Sequence, residues 1–382
     1  MFEFHKKMKI DRIILAILIV CLSAMPWIAS EICQGEQTVV DGAGRAVRIC
    51  PSANLIVLIT CQEIFRLLGV EERVVAVHRW VKALHPEENP VMAGKPIVGG
   101  FSPGDVNYEK IVEIANQTPG EDIVITYASP WAENIENQLE GMDGIKTLKV
   151  SANRMEHFDD QCRLLARVVN REETWREYEK WRDDILRLLQ ARLAKIKTPR
   201  KPRVYYDTSA KGHYDTVNQT HFVAGMIQKA GGDNVGDILP AGSNRISPEW
   251  LLSRDPDIII SQDNNMFHLI GMRLAYGEHA DPAREQAVLK LSRVPGIKGT
   301  SAERRKKIYF IQDDLTSGPK QIIGLLWMAK WFYPDQFSDM DPEAFHKVFY
   351  ERFMRLPYRG IHVYPDKRTG REKGEVVNGK IY

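Results

Sequence analysis

The position of one long amphipathic stretch constrains this chain more than any other feature. From Arg171 to about Lys197, the residues Trp175, Tyr178, Trp181, Ile185, Leu188, Leu189 and Leu193 recur at three- and four-residue steps among many charges. That spacing gathers the apolar side chains into one stripe of a single helix, which Pro199 and Pro202 end. On both sides of it the pattern changes in kind. Leu55 to Thr60 (LIVLIT) is a continuous apolar, β-branched run, as in a strand buried on both faces. It predicts a strand there, then a helix over 63–68 closed by Gly69 and a strand over 73–77. The alternation continues with helix 108–115, strand 122–126, helix 131–139, strand 146–150 and helix 156–169. Beyond the long helix come strand 203–207, helix 221–230 stopped by Gly231-Gly232, helix 248–253, strand 257–261 and helix 282–291. Strand 306–311 and helices 320–333 and 342–353 complete the series.

Strands and helices in turn build parallel sheets with covered faces. The prediction is therefore an α/β fold: two Rossmann-like lobes with parallel sheets, joined by one long backbone helix, with a ligand cleft between the lobes. Residues 31–170 form the amino-terminal lobe, 171–199 the linking helix and 200–355 the carboxy-terminal lobe. Residues 356–382, rich in Gly, Pro, Lys and Arg, read as a weakly ordered tail or a small hairpin. A single helix is a stiff hinge, so only small lobe closure is expected.

Residues 1–30 stand apart. Lys6, Lys7, Lys9 and Arg12 precede an uncharged run from Ile13 to Ser30. This is the layout of a secretory signal, and the run is also long enough to serve as an uncleaved anchor. Neither Cys21 nor Cys33 follows the small residue that a lipidation site requires. Export leaves Cys33, Cys50, Cys61 and Cys162, an even number compatible with one or two disulfides whose pairing the sequence does not fix. Asn116-Gln117-Thr118 and Asn218-Gln219-Thr220 are glycosylation sequons, relevant only in a host that modifies exported proteins. With 52 Lys+Arg against 50 Asp+Glu, the net charge of +2 provides no field that would draw nucleic acid.

In open parallel sheets, ligands bind outside the carboxyl ends of the strands. The loops there supply Cys61, Gln62, His78, Arg79, Trp80, Phe101, Tyr127, Trp131, Tyr206, Lys211, His213, Tyr214, Arg245, Gln262, Asp263, Asp313, Asp314 and Ser317. The ligand-contact candidates are Arg79, Trp80, Phe101, Tyr127, Trp131, Tyr206, Tyr214 and Arg245. Rings provide contact area and guanidinium groups provide forked bonds, a mix suited to a large planar or aryl ligand bearing negative charge. The chain lacks GxxxxGK[ST], GxSxG, HExxH and a GxGxxG after a strand, which weighs against the rival reading as a chelatase or nitrogenase-like enzyme subunit. Its His, Asp and Glu residues show no compact metal-ligand spacing, so a free metal ion is disfavoured.

Several segments carry a family resemblance. Val39-Val40-Asp41-Gly42-Ala43-Gly44-Arg45-Ala46-Val47 resembles an opening "D-x-x-G-R-x-V" hairpin, and Leu68-Gly69-Val70 with Arg73-Val74-Val75-Ala76-Val77 resembles an "L-G-x-x-x-R-V-V-G-V" stretch. Two similar elements follow, Asn107-Tyr108-Glu109-Lys110-Ile111-Val112 before Asp122-Ile123-Val124-Ile125 and Ser247-Pro248-Glu249-Trp250-Leu251-Leu252 before Asp257-Ile258-Ile259-Ile260. The chain over residues 38–354 thus resembles the class III periplasmic solute-binding proteins of ABC importers, which bind iron siderophores and cobalamin. It departs from them at Ala115 to Gly120, where a short "L-x-P" link is usual. The resemblance implies an extracytoplasmic, non-enzymatic monomer that has no resident cofactor and delivers a small-molecule metal chelate to a permease and its ATPase. It further implies that Glu109 and Glu249 dock into arginine pockets of the permease. Contact with the membrane surface would run through that permease or through an amino-terminal anchor. The expected ligand is an iron(III) chelate, siderophore or haem-like, with cobalamin as the alternative. The cobalamin reading is weakened by Gly99-Gly100-Phe101 and Gly242-Ser243-Asn244-Arg245, which stand where tryptophans are common in corrinoid binders.

Overall fold

The computed structural model describes residues 33, 35–84, 86–100, 102–129, 132–151, 157–198, 200–208, 214–263 and 290–365. Residues 36–382 belong to one compact unit, separate from residues 1–35. The larger unit opens with an antiparallel hairpin, β1 (Gln37–Val40) and β2 (Ala46–Ile49), whose turn is organised by the buried Asp41. Asp41 Oδ1 accepts from the backbone N–H groups of Ala43 (2.9 Å) and Arg45 (3.0 Å), and Oδ2 accepts from Arg45 Nη2 (2.6 Å). Burial favours the protonated form, but these bonds, with one from the Lys149 N–H, hold the carboxyl below its ordinary range. That explains physically why Asp, Gly and Arg recur together in this turn.

The amino-terminal lobe continues through β3 (Asn54–Val57), α1 (Glu63–Leu67), β4 (Val74–Val77), α2 (Arg79–Leu84), α3 (Pro90–Ala93), α4 (Tyr108–Gln117), β5 (Asp122–Tyr127), α5 (Glu133–Leu139), β6 (Ile145–Val150) and α6 (Phe158–Val168). Its four strands run in the order β4-β3-β5-β6, all parallel, with Leu55 beside Ile123 and Ile56 beside Val124. Leu55, Ile56, Val57, Ile123, Val124 and Ile125 are all fully buried, as continuous apolar strands in a covered parallel sheet should be.

Helix α7 (Glu172–Leu193) has 22 residues and so spans about 33 Å. Its stripe is shared between the lobes. Trp175 stacks edge-on against Phe158 of α6 at 5.7 Å, while Ile185 and Leu189 enter the core of the second lobe. Tyr178, between them, donates its hydroxyl to the Pro319 carbonyl at 2.5 Å.

The second lobe contains β7 (Arg203–Asp207), α8 (Phe222–Lys229), β8 (Asp233–Asn234), α9 (Pro248–Arg254), β9 (Ile258–Asp263), α10 (Ser301–Arg304), β10 (Ile308–Gln312), α11 (Gln321–Phe332), α12 (Pro342–Val348), a π-helical turn (Phe349–Met354) and β11 (Val363–Tyr364). The strand order is β11-β10-β9-β7-β8, and every pair is parallel except β10 with β11. All residues of α11 except Lys330 are buried, which makes this the central helix of the lobe.

The tail differs from expectation. Residues 356–365 are packed rather than weakly ordered: Ile361, Val363 and Tyr364 are buried, and Gln312 N–H donates to the His362 carbonyl at 2.9 Å. Together with Met354 and Arg355 just before it, the segment also clasps the first lobe. Arg66 Nε donates to the Met354 carbonyl (2.6 Å), Arg355 Nη1 to the Arg66 carbonyl (3.2 Å), and Arg359 pairs with Glu87 at 3.1 Å. The lobes are therefore tied by this segment as well as by the linking helix. The remaining boundary shifts are local. The first core strand ends at Val57 because the chain turns over Ile59–Thr60, α2 lies where a loop was expected, and the helix over 342–353 changes to π geometry after Val348. Residues 1–32, most of the helix expected over 282–291, and residues 366–382 lie outside the described residues.

Candidate functional site

The strand ends converge on the expected loops, but the side chains there play unequal parts. At the end of β5, Tyr127 is only 8% exposed, and its hydroxyl accepts from the Thr60 N–H (2.8 Å) and meets Thr60 Oγ1 at 2.5 Å. Burial, helped by Cys61, drives that phenol well above its ordinary range, so it stays neutral. Tyr206 is fully buried in the core of the second lobe, with its hydroxyl 3.3 Å from Gln262 Oε1. His78 is buried as well, its Nε2 lying 2.9 Å from the Ile59 carbonyl. These three rings brace strand ends. Trp80 and Tyr214 remain partly exposed, and the Tyr214 hydroxyl donates to the Pro295 carbonyl at 3.3 Å. Phe101, Trp131, Lys211 and His213 lie outside the described residues.

Both arginines sit at the surface beside a carboxylate. Arg245 pairs with the buried Asp215 at 3.4 Å, across an antiparallel bridge between the same two residues, and keeps 57% of its side chain exposed. Arg79 pairs with Asp105. It lies in an open depression of about 680 Å³ whose lining includes Arg79, Asp105, Asn107, Tyr108, Glu109 and Gln138. The structure therefore brings Arg79 to Glu109. Glycine is needed in the loop behind this depression: a Cβ on Gly99 would stand 2.0 Å from the Asp105 carbonyl oxygen, and Gly99 has φ +97°.

Glu109 and Glu249 occupy equivalent positions. Each is the second residue of a helix whose cap accepts a backbone N–H: Asn107 from Lys110 at 2.9 Å in α4, and Ser247 from Trp250 at 3.1 Å in α9. Both glutamates are exposed. Its own backbone N–H, with the Ser247 hydroxyl, holds the Glu249 carboxyl below its usual range, so it is ionised at neutral pH.

One cluster was not singled out from the sequence. Lys320 at the start of α11 is 1% exposed, and its Nζ lies 2.7 Å from Glu88 Oε2 of the first lobe and 2.8 Å from Asp314 Oδ2 of the second. Burial works against its charge, but the two carboxylates outweigh burial and raise the ammonium well above its ordinary range. Glu63 at the start of α1 is buried nearby. Burial, opposed by Lys320 and reinforced by Asp314 and Glu88, pushes its carboxyl up to about 8. No periodicity or motif marks these residues, because Lys320 follows a proline and reads as an ordinary helix-start charge.

Cys33 and Cys50 are each disulfide-bonded, whereas Cys61 and Cys162 are free and buried. Asn218 is 5% exposed and donates its amide to the Pro240 (3.1 Å) and Ser243 (2.8 Å) carbonyls, so its sequon is closed to modification. Among the described residues, no group of three or more His, Cys, Asp or Glu could hold a metal ion, and no helix is long and apolar enough to cross a membrane.

Two sheets with parallel cores, one linking helix and a matched pair of exposed glutamates define a known architecture. A family model for periplasmic binding proteins matches residues 60–315. The chain belongs to the periplasmic binding protein family. Members of this family are periplasmic solute-binding proteins and not enzymes. The molybdate-binding protein MolA of Haemophilus influenzae is 23% identical over 201 residues, 51% of this chain; the chain spans about half (51%) of that relative's length. Among solved structures, the TroA-like periplasmic binding protein FepB from Veillonella parvula superposes with a TM-score of 0.68 at 21% identity, covering 85% of this chain and 98% of that one. MolA bound to molybdate gives 0.69 at 19% identity, covering 85% and 100%, and Helicobacter pylori CeuE with nickel and histidine gives 0.63 at 16%, covering 84% and 96%. These superpositions establish the two-lobed fold.

Proposed function

We propose that this periplasmic binding protein captures an anionic, metal-containing solute and hands it to an ABC permease driven by its ATPase, the ligand being a compact oxyanion of the molybdate class. The observation that carries this reading is the unequal use of the expected aromatic and basic groups. Tyr127 and Tyr206 are consumed in the lobe cores, while Arg245 keeps a largely exposed guanidinium beside Asp215 in the loops that follow β7. A compact tetrahedral anion needs charge and forked donors rather than an aromatic wall. Similarity to a molybdate-binding protein supports the same class. The second reading is an iron(III) chelate, siderophore or haem-like, favoured by Trp80 and Tyr214, which offer partly exposed rings on opposite lobes. In both readings the metal is cargo and not a resident cofactor. Docking to the permease is assigned to Glu109 and Glu249, whose identical helical positions present one carboxylate from each lobe.

The test is a calorimetric and tryptophan-fluorescence titration of the purified protein with molybdate, tungstate, sulfate, a ferric catecholate siderophore, haem and cobalamin. Saturable molybdate binding that weakens in Arg245→Ala supports the oxyanion. Saturation by the siderophore or haem alone transfers the assignment to the chelate, saturation by cobalamin alone transfers it to a corrinoid, and silence from all six removes this function.

A further inference from the structure

The lobes meet through charges held away from water. Glu88 reaches in from the first lobe, Asp314 and Lys320 from the second, and the ammonium is shared between the two carboxylates at 2.7 and 2.8 Å. Glu63 enters the same interface from the first lobe and is 5% exposed. Its carboxyl lies against the second lobe so closely that a Cβ on Gly318 would stand 2.7 Å from Glu63 Oε1 and 3.3 Å from Cys61 Cβ. Among the described residues Glu63 makes no ion pair within 4 Å, and the one ammonium acting on it is already taken twice. An ionised Glu63 would bring a third carboxylate to one ammonium in a site without solvent, which the physics of buried charge strongly disfavours.

We propose that Glu63 links the meeting of the two lobes to proton uptake: the interface closes around its neutral carboxyl and opens when that carboxyl ionises. The other groups facing this site do not titrate in the same window. Burial keeps the thiols of Cys61 and Cys162 and the phenols of Tyr127, Tyr178 and Tyr350 neutral. Burial likewise keeps His346 and His362 uncharged, the latter lowered to about 4. Lys320 stays charged. Glu63 is left as the group that changes.

The direction follows from proton counting. In the closed form the Glu63 carboxyl is raised to about 8, whereas in the hydrated open form it returns to roughly 4.3. Between those values the closed form holds one more proton. Closure is strongest below the lower value. The opening constant then grows by about tenfold per pH unit up to about 8, above which it levels off.

The experiment uses the full chain carrying Gln117→Cys and Ser253→Cys, exposed positions on α4 and α9, with nitroxide labels and interlobe distances read by pulsed electron paramagnetic resonance from pH 5 to 9. The expected result is a population of longer distances that grows with pH and reaches a plateau near 8, and a Glu63→Gln partner that stays closed throughout. Identical pH profiles for the two proteins, or a profile flat in both, would overturn the proposal. Should Glu63→Gln not fold, a carbon-13 titration of glutamate carboxyls in the unsubstituted protein decides the matter. One carboxyl titrating near 8 upholds the proposal; all titrating below about 6 sinks it. The distances are read on protein freed of ligand, so the outcome is separate from the ligand assigned above.

Discussion

Replacing Lys320 by methionine isolates the energetic weight of the interlobe cluster. Methionine nearly matches the aliphatic stem of lysine, so packing changes little and the loss is electrostatic. Glu88 and Asp314 would be left facing each other at the interface, with side-chain exposures of 3% and 15% and without their shared ammonium. Removing one partner of a buried ion pair costs about 3–5 kcal/mol. At about 2 °C per kcal/mol for a chain at the large end of the single-domain range, the melting temperature at pH 7.5 should fall by about 6–10 °C. The penalty exists only while the stranded carboxylates are charged, so it should be smaller in acid than at pH 7.5. Adding Glu88→Gln and Asp314→Asn to Lys320→Met should recover most of the lost stability at neutral pH, because an apolar or neutral replacement of the whole set carries no stranded charge. Differential scanning calorimetry of the three proteins at pH 4.5 and 7.5 provides the check. A drop below about 2 °C for Lys320→Met, or a drop independent of pH, would refute the reasoning.

Two further outcomes follow from exposure and burial. Glu109→Ala and Glu249→Ala should each leave the melting temperature within about 1 °C, because both side chains face solvent. Each should nevertheless weaken association with the cognate permease in nanodiscs by about 2 kcal/mol or more, and unchanged association would remove the docking role. Cys61 and Cys162 are buried, with their thiols pushed up chiefly by burial, so neither should react with a disulfide reagent at pH 8 in the native protein, while both should react in guanidinium. Rapid native labelling at either position would contradict the packing of the loop between β3 and α1 or of α6.

Most of the architecture was legible in the residues, because covered parallel strands must be continuously apolar and the linking helix must carry its stripe. LIVLIT and DIVITY therefore announced the first sheet, DIIIS over 257–261 the second, and the Trp175–Leu189 stripe their connection. The matched glutamates were legible through the family resemblance, and the fold adds that each follows a capping residue at the same offset. The site was harder to read. Tyr127 and Tyr206 stand at the carboxyl ends of strands, where a ligand-facing ring would also stand, and only the fold reveals that Thr60 and Gln262 claim their hydroxyls. The Arg79–Asp105 pair joins residues 26 apart, and the Lys320–Glu88 pair joins residues 232 apart. Spacing along the chain carries no trace of such partners. The ordered stretch 356–365 was missed because it was read together with the Gly-, Lys- and Arg-rich residues that follow it, while its order comes from tertiary partners such as Glu87 and Gln312.

That last stretch also sets the order in which the molecule can be finished during synthesis. Arg66 obtains its carbonyl partner from Met354, 288 residues later, and Glu87 obtains its arginine from Arg359, 272 residues later. A chain emerging amino end first thus carries a first lobe that lacks its final clasp until almost the whole sequence has been made. Closing contacts over such distances is slow. Truncation before residue 354 should accordingly leave the first lobe with Arg66 held by Glu71 alone, its Nε without the Met354 carbonyl.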